Sequence, residues 1–177
     1  EYFQMAIDQN PNLLEPYFSL AQIYIMANQM DKAISKYKAL LNANPKQTAP
    51  HMFLGIIYED RKQYDLSEIH YRTALDINPS FAPAANNLAY ILAEQDKNLN
   101  EALDFARTAR QKLPHDPYVI DTMGWVFYKR GLYDSAIGEL SESLAKIPQN
   151  PSVNYHIGMA YFKKGDPEQA RTYLEKA

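Results

Sequence analysis

Proline punctuates this chain at a nearly constant interval: Pro11, Pro45, Pro79, Pro114 and Pro148 follow one another at spacings of 34, 34, 35 and 34 residues. A period in this range marks a stacked-repeat architecture, in which one small unit recurs and buries its apolar face on its neighbours. The text around each proline recurs with it. Phe3, Ala6, Asp8, Asn10 and Pro11 stand in the register of Tyr71, Ala74, Asp76, Asn78 and Pro79. The shared register reads residues 1–4 as native helix and not as the remnant of a cleavage tag.

Counting each unit so that its closing proline is its thirty-second residue aligns the rest. The eighth position is always small: Ala21, Gly55, Ala89, Gly124 and Gly158. The eleventh is large, being Tyr24, Tyr58, Leu92, Phe127 and Tyr161. The twentieth is Ala33, Ser67, Ala102, Ala136 and Ala170, with one residue inserted in the third unit. Small residues at fixed places let two helices of a unit approach closely while large neighbours fill the flanking grooves. The other prolines, Pro16, Pro50, Pro83, Pro117, Pro151 and Pro167, fall where a helix starts and a missing N–H costs least. First helices are therefore expected at 14–27, 48–60, 82–94, 117–129 and 151–163. Second helices are expected at 1–10, 30–43, 64–77, 98–113, 133–146 and 167–177. Asn28, Gly131 and Gly165 sit where the turn between them wants a left-handed residue.

This pattern resembles the tetratricopeptide repeat family, which places a small residue and an aromatic in the first helix, alanine in the second and proline at the end. The resemblance covers the whole chain and is closest from Asp121 through Gly124, Trp125 and Ala136 to Pro148, and from Asn154 through Gly158 to Ala170. Ser67 in place of alanine, Leu92 in place of an aromatic and a longer turn over 94–98 depart from it. The resemblance implies an all-α, right-handed superhelical solenoid of antiparallel helix pairs. The expected organisation is one array over 1–177: a lone second helix (1–13), repeats at 14–47, 48–81, 82–116 and 117–150, and an incomplete repeat at 151–177. The segment from Asn86 to Glu94, with Asp121 to Trp125, also resembles the C-terminal repeats of large bacterial proteins associated with secretion and exopolysaccharide. With no initiating methionine, the chain reads as a piece of something longer whose cut ends leave apolar faces open for self-association.

Composition excludes several other classes. A formal charge of -3 lacks the basic surplus that phosphate neutralisation on nucleic acid needs. No apolar run approaches the roughly 20 residues needed to span a bilayer. The absence of cysteine removes disulfides, thiolate metal sites and thiol nucleophiles, and is compatible with cytosol or periplasm alike, so the compartment stays open. The histidines, His51, His70, His115 and His156, share no helical spacing that suggests a metal site. They read as surface or interhelix residues. Carboxylates alternate with Lys and Arg along second helices, as a solvated face does. Neither a nucleophile–base pair nor a Gly-rich phosphate loop is present, so no catalysis, metal or cofactor is expected.

The resemblance implies that positions 2, 5, 9 and 12 of the first helices face a concave groove. In the early units these are Phe18, Gln22, Ile25, Met52, Ile56 and Glu59, of which Phe18, Met52 and Ile56, like Met159 in the last unit, serve at least as well as interhelix packing. In the later units they include Tyr90, Tyr118, Trp125, Tyr128, Tyr155, Met159 and Phe162, an aromatic series suited to anchoring a protein or peptide. Asn86, Asn87 and Asp121 would supply directional hydrogen bonds, since an amide both donates to and accepts from a peptide backbone. The Lys/Asn/Arg clamp that some relatives use for acidic C-termini is missing. Its places hold Phe18, Gln22, Phe53, Pro83 and Asn87. Two functions are left: a peptide-binding module that uses this groove, and a scaffold that assembles through its helical ends with the groove empty.

Overall fold

The computed structural model describes residues 2–11 and 13–177. Glu1, which the repeat register assigns to the lone second helix at 1–10, and Asn12, within the stretch expected to follow it, lie outside them. Among the described residues there are eleven α-helices and no strands. The chain separates into two units, Glu1–Phe81 and Ala82–Ala177, and the division falls on the repeat boundary read from the prolines.

The first unit holds α1 (Tyr2–Gln9), α2 (Leu14–Met26), α3 (Met30–Ala43), α4 (Thr48–Asp60) and α5 (Tyr64–Ile77), each packed on the next. Its centre is aromatic. Tyr37 is fully buried, stacks on Phe53 with ring centroids 5.4 Å apart and meets the edge of Phe18 at 5.7 Å. Burial pushes the Tyr37 phenol up to about 12. Phe18 is therefore core in this unit, the packing reading of that position. Ser67, the departure from alanine, is accommodated because its hydroxyl donates to the Gly55 carbonyl at 2.8 Å and is not left orphaned.

The second unit holds α6 (Ala82–Glu94), α7 (Leu99–Lys112), α8 (Pro117–Lys129), α9 (Tyr133–Lys146), α10 (Pro151–Lys164) and α11 (Pro167–Leu174). Proline opens α8, α10 and α11, and the residue before it caps the helix. Asp116 accepts from the Tyr118 and Val119 amides, Asn150 from Val153 and Asp166 from Gln169. Each helix packs on its successor, and α8 also touches both α6 and α10, which sets three first helices side by side. The close crossings fall at the small residues. A methyl added at Gly124 would lie 2.6 Å from Leu140 Cγ, and one at Gly158 would lie 2.7 Å from Leu174 Cγ.

Five first helices end in the same motif. Asn28, Lys62, Asp96, Gly131 and Gly165 have positive φ, and the amide after each bonds back five residues, as Gln29 does to the Tyr24 carbonyl at 2.7 Å. Lys62 and Asp96 were not evident from residue type. The inserted residue of the third unit lengthens its turn and adds a second left-handed residue, Asn98, whose side chain bonds Glu101 at 2.8 Å. No helix among the described residues is long and apolar enough to cross a membrane.

Candidate functional site

The neighbouring helices α6, α8 and α10 enclose an open cleft of about 580 Å³ in the second unit. Its walls include Tyr90 and Glu94 from α6, Trp125, Tyr128 and Lys129 from α8, and Tyr155, His156 and Met159 from α10. A smaller hollow of about 300 Å³ adjoins it and shares Tyr90, Ser152 and His156. Asn86, Asn87, Tyr118 and Asp121 line this second space, with Thr122, Asn150 and Ser152. Eight of the nine residues singled out from sequence thus line one or other of two contiguous depressions. Phe162 lines neither and stands exposed on α10.

The nine do not share one role. Tyr118, Tyr155 and Phe162 are 59%, 44% and 59% exposed, with large rings open to solvent. Trp125 is different: it is only 5% exposed, although sequence position suggested an open anchor. Its indole stacks on His156 at 4.2 Å and on Tyr128 at 4.6 Å. Its N–H donates to Glu94 Oε1 at 2.6 Å, and Lys129 Nζ lies 5.5 Å from its ring centroid. Trp125 is the floor of the cleft, held by groups from all three helices.

Asp121 is also buried, and its Oδ1 lies 2.8 Å from His156 Nδ1. This bond fixes the histidine ring against the tryptophan, so a carboxylate on α8 orients a stack that closes on α10. Burial, and then Tyr155, Tyr133 and Asp96, raise the Tyr128 phenol above its ordinary value, which leaves it a hydrogen-bond donor at neutral pH. Lys129 is drawn toward Asp96 at 3.2 Å. Among the amides, Asn86 Nδ2 donates to Asn87 Oδ1 at 3.3 Å, while Asn86 Oδ1 is buried with no partner.

Glu94, Lys129 and His156 were not singled out from sequence. Glu94 and Lys129 sit four residues after Tyr90 and Trp125, on the same helix faces, so their i+4 placement was the available signal. For His156 the signal was weaker, a single step from the groove position of Tyr155. In the first unit His51 and His70, on α4 and α5, bring Nδ1 atoms within 3.0 Å and are interhelix residues. Among the described residues no three His, Asp or Glu groups converge as a metal site would require.

Models of the tetratricopeptide repeat match residues 18–80, 54–117 and 127–177. A 77-residue stretch is 34% identical to the TPR repeat-containing protein PA4667 of Pseudomonas aeruginosa, covering 44% of this chain and 13% of that protein's length. YrrB, a TPR protein with an unusual peptide-binding site, shares the fold with a TM-score of 0.78 at 20% identity, over 99% of this chain and 90% of its own. PilW, a type IV pilus biogenesis factor, does so with a TM-score of 0.80 at 23% identity, over 90% of this chain and 74% of its own. At such identities the likeness is one of fold.

Proposed function

Since the chain belongs to the tetratricopeptide repeat family, whose modules generally serve protein–protein interaction, we propose that its second unit binds an extended peptide segment of a partner protein along α6, α8 and α10. The observation that carries this reading is the open cleft over Trp125, with the exposed ring of Tyr155 in its wall and that of Tyr118 in the adjoining hollow. Rings already ordered by stacking lose little conformational freedom on binding, and large aromatic surfaces are the usual anchors of such contacts. The peptide-binding site of YrrB, in a chain of the same fold, supports the same reading. The identity to a far longer Pseudomonas aeruginosa repeat protein supports placing this segment in a larger bacterial scaffold that binds and does not catalyse.

Selection of a random dodecapeptide library on the immobilised protein tests the reading. Trp125 is the only tryptophan, so its emission reports occupancy of the cleft. Tyr155→Ala is expected to weaken the selected peptides by about thirtyfold, equivalent to roughly 2 kcal/mol for a central anchor, with unchanged melting. If no sequence is enriched, or if enriched peptides bind Tyr155→Ala as well as the parent, the groove is not the site.

Self-association is the second reading. In its favour, Tyr2 and Met5 on α1 expose large apolar surfaces that a second copy would cover. Sedimentation across a wide concentration range is expected to show reversible association that Tyr2→Lys with Met5→Lys abolishes. A strictly monomeric parent chain at high concentration removes this reading.

A further inference from the structure

The smaller hollow has a chemistry that the larger cleft lacks. Asp121 is the one carboxylate in its lining, and no lysine or arginine accompanies it. His156 engages Oδ1 of that carboxylate, and Oδ2 has no donor among the described residues. Nearby, Asn86 Oδ1 is an acceptor without a donor, and its amide is tethered only by the long bond to Asn87. Tyr90 and Tyr118 contribute ring surface on either helix, α6 and α8. The hollow therefore offers one carboxylate, held on one oxygen by His156, and flat aromatic walls, with no lysine or arginine in its lining.

Resting on the peptide-groove reading above, we propose that this hollow takes the guanidinium of an arginine side chain belonging to the peptide in the adjoining cleft. A guanidinium is planar, carries five donors, stacks on tyrosine faces and is more weakly hydrated than an ammonium. It can give a charge-assisted hydrogen bond to Asp121 while its flat face lies against a tyrosine ring. Lysine brings the charge without the flat shape. A neutral isostere fills the space but leaves the carboxylate without a cation, and an acidic side chain is repelled. Because the two depressions share Tyr90 and His156, one extended chain can put an apolar residue over Trp125 and an arginine beside Asp121.

Four acetylated, amidated peptides of sequence Phe-Ala-Xaa-Ala-Phe, with arginine, lysine, citrulline or glutamate at the centre, test this by amide chemical-shift titration of the whole chain. The arginine peptide is expected to bind about fivefold tighter than the citrulline peptide, the margin of a partly exposed charge pair, and to shift the amides of Asn86, Tyr118 and Asp121. Asp121→Asn should erase that difference. Because Asp121 also holds His156, Tyr118→Ala at an exposed ring is the second variant, expected to weaken the arginine peptide and leave the melt unchanged. Equal binding of arginine and citrulline peptides overturns the proposal, as does an arginine preference that survives both variants. If all four bind the cleft equally, the peptide groove stands and the arginine pocket falls. If none binds, the pocket falls, and library selection decides the groove separately.

Discussion

Trp125 on α8 donates its indole N–H to Glu94 at the end of α6, 31 residues earlier, across 2.6 Å. This bond crosses from one repeat to the next, and the same ring carries His156 of the following repeat on its face at 4.2 Å. One side chain thus ties three successive first helices. A groove position has become a joint, and the rings left open beside it are Tyr118 and Tyr155.

Replacing Trp125 by alanine should accordingly cost the fold about 3–5 kcal/mol, the range for emptying a buried aromatic site, and any loss of binding will be secondary to that. Trp125→Phe keeps part of the ring packing and removes the bond to Glu94, so it should cost markedly less. Denaturant melts of both variants decide the matter. A Trp125→Ala protein as stable as the parent would restore the tryptophan to the role of an open, partner-facing anchor.

Two glycines on adjacent helices should respond to alanine in opposite directions. At Gly124 the added methyl meets Leu140 at 2.6 Å and the Ala136 carbonyl at 3.3 Å, so Gly124→Ala should destabilise, and Gly124→Leu should cost about 1–3 kcal/mol or more by overpacking. Gly138, on the exposed side of α9, has nothing within 4 Å of its added methyl. There Gly138→Ala should raise stability by about 0.5–1 kcal/mol through helix propensity alone. Thermal melts of the pair check the repeat register, and equal shifts in one direction would show that it is misassigned.

Lys62 ends α4 with φ of 58°, where Gly131 and Gly165 end α8 and α10. A residue with a Cβ in that conformation carries about 1–2 kcal/mol of strain, partly offset because glycine is more disordered when unfolded. Lys62→Gly should therefore stabilise by several tenths of a kcal/mol up to about 1 kcal/mol, and Lys62→Asn by less. A lowered melting temperature for Lys62→Gly would mean that the lysine side chain makes a compensating contact.

Lys62 also marks how far the sequence could be read. Helix boundaries were legible because proline, Asp and Asn stand at the starts and glycine at two of the ends, residues whose backbone chemistry is local. The left-handed turns at Lys62 and Asp96 were not, since there the repeat's packing imposes a conformation that the residue does not prefer. The family resemblance implied the groove positions, and helical spacing is consistent with Tyr90, Trp125, Tyr128 and Tyr155 sharing one side. What spacing could not give was depth. Whether Trp125 is open or covered depends on how near α10 brings His156, and that approach has no periodic signature. The bonds of Asp121 to His156 and of His51 to His70 were hidden for the same reason, being single contacts between helices 35 and 19 residues apart in sequence.

The His51–His70 pair makes stability depend on pH in a definite direction. The two Nδ1 atoms lie 3.0 Å apart, so at least one ring must be neutral for a hydrogen bond to form, and Tyr58 stacks on His70 at 5.5 Å. Burial, then the neighbouring His51 and Lys38, lower His70 from 6.5 to about 4, and burial also lowers His51. Both bases are thus harder to protonate in the folded chain than in the unfolded one. Above pH 6.5 neither state binds these protons and the pair contributes its full stability. Below it the unfolded chain takes up protons that the fold refuses, so stability falls with pH until His70 itself protonates near 4. Between pH 6.5 and 5, above the range where most carboxylates titrate, the parent's melting temperature should decline as pH falls. His70→Phe keeps a ring against Tyr58 and removes the titrating partner, so its melting temperature should decline less over that interval. Parallel slopes for parent and variant would show that the imidazole pair does not govern acid stability.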